Sequence, residues 1–165
     1  MEPRFSESVD LSEVVFTRFQ PGDDLMARLV ETVAARGWER AAILSGIGSL
    51  TDVAFVAPRP GLTLPIDPAG GLNPIRLAGP LELLSIEGNL VPQHGGFGAL
   101  KPGDPVLHVH CILSSGQDDG LARGGHLLAA TVFTTVEIFI ARVQGSRVKK
   151  QRSAITGLNE MRADL

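Results

Sequence analysis

Apolar residues recur along the chain in two rhythms, one of period two and one of three to four, and the switches between them mark the elements. Val14 to Phe19 is β-branched and aromatic and predicts a first strand, which Pro21-Gly22 interrupts. Asp23 and Asp24 offer carboxylates to a helix start. Leu25, Met26, Leu29, Val30, Val33 and Ala34 then repeat at helical steps until Gly37 supplies a left-handed stop. Ala41 to Leu44 predicts a buried strand, Ser45-Gly46-Ile47-Gly48-Ser49 a tight turn, and Thr51 to Ala57 the next strand. Residues 58–80 carry six prolines, too many for a regular element, and predict a long connection or an insertion. Leu81 to Val91 returns to strand, and 92–105 is a Gly-rich loop. Val106 to Leu113, Leu121 to Leu128 and Ala130 to Val143 are further strand-like runs, the first two joined by the turn residues Ser114 to Gly120. Short turns between successive strands require antiparallel order. Residues 147–165 are polar, basic at first, and predict a short edge strand followed by a loose end. The fold class is therefore α/β of the α+β type: a mainly antiparallel sheet with one principal helix packed on it. It forms one domain over 1–165, with its core at about 12–145.

Composition narrows this picture. With 44% hydrophobic and 20% charged residues, the chain can bury an ordinary core without disulfide or metal support. A net charge of −3 provides no global positive field for phosphate backbones, so nucleic acid is an unfavoured partner. The single cysteine, Cys111, excludes an internal disulfide and a thiol-rich metal cage. The opening residues are polar and acidic, and no run reaches the roughly 18 apolar residues of a membrane helix, so the expected location is cytoplasmic, with no membrane partner.

The candidate chemistry gathers between His94 and Glu137. Along Val106 to Leu113 the side chains alternate, placing Leu107, Val109, Cys111 and Leu113 on one face and His108 and His110 on the other. Residues two apart on a strand are about 6 to 7 Å apart, close enough for both rings to reach one ion. His126 follows Gly124-Gly125 on the run expected to return beside this strand, where glycines allow close approach. Three neutral imidazoles without a thiol suit zinc and leave a position open for water or substrate. The competing reading is that the His-Val-His pair faces solvent or a subunit interface. Glu137, sharing a face with Phe133, Thr135 and Phe139, needs a partner. It can orient a histidine, act as a catalytic base, or pair with an arginine such as Arg123. His94 is a further candidate over a substrate pocket, or a solvated loop residue. The Ser45 to Ser49 turn lacks the third glycine of a dinucleotide fingerprint and leads toward a strand. It serves packing, or its amides at Gly46 and Gly48 and its hydroxyls at Ser45 and Ser49 contact an anionic ligand. Cys111 belongs to the core face rather than to a nucleophile site.

The segments AAILSGIGSLTDV, LELLSIEGNL, LHVHCIL, GGHLLAATVF and TTVEIFI, in this order, resemble the PPC (plants and prokaryotes conserved) domain over about Phe16 to Val143. The resemblance implies a mainly antiparallel α/β fold assembled as a homotrimer with pockets at the subunit contacts. For members with the histidine pair and the Gly-Gly-His element, it also implies a metal, zinc by preference, at His108, His110 and His126. Plant members add DNA-binding AT-hooks, but no Arg-Gly-Arg-Pro core occurs in this sequence. The leading expectation is a homotrimeric zinc protein with a small-molecule pocket and lyase or hydrolase chemistry. The alternative is a DNA-associated regulatory or partner-binding module using Arg147, Lys149, Lys150 and Arg152, residues that otherwise solvate the edge strand and tail.

Overall fold

The β-branched runs of the sequence become the strands of one bent sheet. The computed structural model describes residues 5–68, 72 and 74–163, so parts of the predicted 58–80 connection and of the tail lie outside the described residues. In chain order the elements are β1 (Asp10–Phe19), α1 (Leu25–Ala34), β2 (Ala41–Val56), β3 (Ile75–Leu77), β4 (Leu81–Pro92), β5 (Pro105–Ser114), β6 (Ala122–Gln144), β7 (Lys149–Arg152) and β8 (Asn159–Arg162). A short 3-10 turn, Gly116–Asp118, joins β5 to β6. The main sheet runs β1-β6-β5-β4-β2-β3, and every ladder in it is antiparallel. An additional β6–β2 ladder closes β2, β4, β5 and β6 into a ring. The fold class expected from the sequence is the one observed.

α1 starts where Asp24 leaves the helical region and its carboxylate accepts the amide N–H of Ala27, a cap that contributes about 1 kcal/mol. Leu25, Leu29 and Val33 form its buried stripe and pack with Ile138, Ile140 and Val109 in the core. Each such side chain removed from water contributes about 1.5 to 3 kcal/mol, which is why so short a helix stays in place.

Three sequence expectations are corrected. First, Ser45 to Ser49 is not a turn but the middle of the continuous 16-residue strand β2. Its glycines serve close packing: a Cβ at Gly46 would lie 2.6 Å from Ile138 and 2.7 Å from Ile86, and one at Gly48 would strike the carbonyl oxygen of Thr135. Second, Leu121–Leu128 and Ala130–Val143 are one strand, β6, of 23 residues. It is long enough to pair with β5 at one end and β1 at the other, and β-bulges in its ladder with β2 let it bend. Third, the tail is not loose. β7 and β8 form a hairpin that buries Val148, Lys150 and Ser153, and a bridge from Gln93 to Lys150 ties it to the loop after β4.

Candidate metal centre

β5 follows the alternation in its sequence. Val109, Cys111 and Leu113 are buried in the core, and His108 and His110 emerge on the outer face. β6 returns alongside with His126 directly opposite His110. Glycines make this approach possible, because a Cβ at Gly124 would strike the carbonyl oxygen of Cys111 and one at Gly125 that of Val56. The backbone before His126 is thus wedged between β5 and β2, and side chains there would push the histidine away from its partners.

The three rings converge. Their centroids are separated by 5.1, 4.9 and 5.4 Å, and one potential ligand nitrogen from each lies within 4.8 Å of the others. The Nε2 atoms of His108 and His110 are 3.2 Å apart. Two nitrogens bound at 2.0 to 2.1 Å to one tetrahedral ion stand roughly 3.3 Å apart, so this pair already has ligand spacing. The donor set contains no carboxylate and no thiolate, so a divalent ion here would keep its full charge.

Electrostatics favour the neutral, ligating form. Burial, aided by Lys150 and the other two imidazoles, pushes the pKa of His108 down to about 4. Burial, with His110 and Lys150, also lowers that of His126. Lys150 is buried, and its Nζ lies 3.2 Å from Nδ1 of His108. If Nε2 of His108 faces the ion, Nδ1 carries the ring proton and the amine must accept it. Burial lowers the pKa of Lys150, and Glu160 opposes the shift.

A cavity of about 200 Å³ adjoins His110 and is walled by Ser85, Glu87 and the Gly124-Gly125 backbone. Register places Glu87 opposite His110 and Asn89 opposite His108, so β4 lines the centre on its second side.

The other candidate residues lie elsewhere. Glu137 is eleven residues beyond His126 on β6, about 36 Å along a strand, opposite Arg18 of β1 and Ile47 of β2. Arg123 pairs with Leu113 and lines a separate cavity of about 380 Å³ with Ser114, Ser115 and Gln117. His94 is exposed beside a third cavity, of about 460 Å³, with Trp38 and Arg40 near the end of α1. Ser49 is buried and hydrogen-bonded to Thr134, and Ser45, Gly46 and Gly48 are strand positions of β2. Cys111 is a core residue whose thiol burial pushes up to about 11. Sequence reasoning did not place Lys150, Ser85, Glu87 or Asn89 beside the histidines. The alternation of LELLSIEGNL carried a signal for the last three, but a β-bulge between Leu83 and Ser85 resets which residues share a face.

Sheet, helix and histidine cluster together define an antiparallel α+β protein with an outward-facing three-imidazole centre. The model of the Plants and Prokaryotes Conserved (PCC) domain matches residues 6–144, and the chain belongs to that family. Among solved structures, a plant- and prokaryote-conserved protein from Pyrococcus horikoshii aligns at 24% identity and a TM-score of 0.74, covering 96% of this chain and 99% of its own. A metal-containing protein from Archaeoglobus fulgidus aligns at 25% identity and the same TM-score of 0.74, covering 95% and 98%. A candidate DNA-binding protein from Ralstonia eutropha aligns at 20% identity and a TM-score of 0.69, covering 89% of each chain. No curated protein matches the chain. Among the described residues no helix is long and apolar enough to cross a membrane.

Proposed function

We propose that the protein is a homotrimeric metal-binding member of its family, whose His108, His110 and His126 hold zinc beside a small-molecule pocket. The observation that carries this reading is the convergence of three imidazoles, two with Nε2 atoms 3.2 Å apart, on one outward-facing point. The metal-containing description of the Archaeoglobus protein, at 25% identity, supports it. A zinc ion on three neutral imidazoles supplies Lewis acidity at an open position, polarising a carbonyl or activating a water, which is the chemistry of lyases and hydrolases.

The chain's own residues prepare that position. β5 fixes two rings on a rigid strand, and the paired glycines seat the third. Lys150 holds Nδ1 of His108 so that Nε2 points into the centre. Ile112 and the Gly124-Gly125 backbone wall the adjoining cavity.

The trimer is supported by exposed apolar side chains on the outer face of the sheet. Phe16 and Phe139 stack with ring centroids 4.8 Å apart yet remain 58% and 48% exposed, and Ile47 and Ile112 are 57% and 47% exposed. An apolar face of this kind calls for a partner surface. The DNA-binding alternative loses one of its cations, because Lys150 is buried against His108 rather than facing solvent.

Elemental analysis of protein purified without a histidine tag tests the reading. About one zinc per chain is expected, falling to background in His108→Ala, and zinc below about half an equivalent in the wild type would end it.

A further inference from the structure

The outer face of β4 carries three polar side chains beside the histidine centre, and one of them holds a buried acceptor without a partner among the described residues. Ser85, Glu87 and Asn89 alternate along the strand and lie opposite Ile112, His110 and His108. Side chains directly opposite on an antiparallel pair have Cβ atoms about 4.5 to 5.5 Å apart, so Glu87 and Asn89 flank the imidazoles at contact range. The Oδ1 atom of Asn89 is buried without a hydrogen-bond partner. Among the described residues the Glu87 carboxylate has neither an ion pair nor a hydrogen bond, and it opens onto the cavity shared with His110. Leaving the buried Asn89 oxygen unpaired is costly, whereas the Glu87 carboxylate is exposed and open to a ligand, and acceptors beside a binding position are how a site selects a ligand's donors.

We propose that β4 is the recognition wall of the three-histidine centre, and that it selects a small ligand placing a carboxylate or carbonyl oxygen at the metal and donating a neighbouring hydroxyl to Glu87. The inference rests on the metal reading above. Hydroxyl is the donor because the ion itself disfavours an ammonium group at this distance. The cavity of about 200 Å³ suits a hydroxy-carboxylate of a few carbons rather than a cofactor.

Cobalt(II)-loaded protein tests this without an assay for activity. Acetate and glycolate are titrated separately and followed by the visible absorption of the cobalt centre; both offer the same carboxylate, and only glycolate adds the hydroxyl. Glycolate should bind about tenfold more tightly than acetate, the worth of one hydrogen bond to a charged acceptor. Glu87→Ala should bind cobalt as well as the wild type but lose the preference, and Glu87→Gln, which keeps an acceptor oxygen in place, should retain part of it. The ratio of the two affinities cancels the change in site charge. Equal affinities in the wild type, or an undiminished preference in Glu87→Ala, would overturn the proposal while leaving the metal reading intact. Failure of the wild type to take up cobalt would overturn both.

Discussion

At the residue scale, the fold suppresses the charge of His108 and His126. His108 titrates at about 4 and His126 below its ordinary value, whereas an unfolded histidine titrates near 6.5. Between these limits the unfolded chain binds more protons than the folded one, so stability rises with pH across that interval and is lost as pH falls through it. Glu7 and Asp23, held low by their hydrogen bonds, act in the same sense only at and below the ordinary carboxylate range. The melting temperature of metal-free protein should therefore drop between pH 6.5 and 4.5, and His108→Gln should flatten that drop. A melting temperature that stays level over the interval in the wild type would show that the imidazoles are not desolvated. The sequence made the histidine pair legible, since alternation in LHVHCIL separates His108 and His110 from Val109 and Cys111. Lys150 was not legible: in a basic run it reads as a solvated cation, and only the docking of the tail buries it.

At the scale of elements, local signals predicted α1 and the existence of most strands but not their continuity. Gly46 and Gly48 read as turn residues because glycine marks turns and close approach alike, and only the partner strands distinguish the two. β2 and β6 are long because each must reach several neighbours, a tertiary demand with no local signature. His126 lies opposite His110 on the run expected to return beside β5, and Gly124-Gly125 let that backbone pack against Cys111 and Val56. A Gly125→Ala substitution should force β6 away from Val56 and displace His126. Metal affinity, measured by competition with a chelator, should fall at least tenfold, beyond what the accompanying loss of thermal stability would explain, since ligand geometry tolerates little displacement. Unchanged metal affinity in a destabilised Gly125→Ala protein would show that the glycines serve packing alone.

At the scale of the whole molecule, the histidine centre and the exposed apolar side chains Phe16, Ile47, Ile112 and Phe139 share the outer face of one sheet. The C-terminal hairpin, beyond the matched residues 6–144, closes over the His108 side through Lys150. It is anchored by Asn159, whose amide donates to Gln93 at 2.6 Å, and by the backbone bond from His94 to Lys150 at 2.8 Å. Tail docking and the centre meet at His108, whereas Phe16, Ile47 and Phe139 lie farther along the sheet, and a single experiment reads the proposed assembly and the proposed centre together. Native mass spectrometry of tag-free protein, after zinc addition and desalting, should give a species of three 17.5 kDa chains carrying one zinc per chain. His108→Ala should give the same trimer without zinc. A wild-type protein that emerges intact but free of zinc, whatever its number of chains, would contradict the three-histidine metal centre.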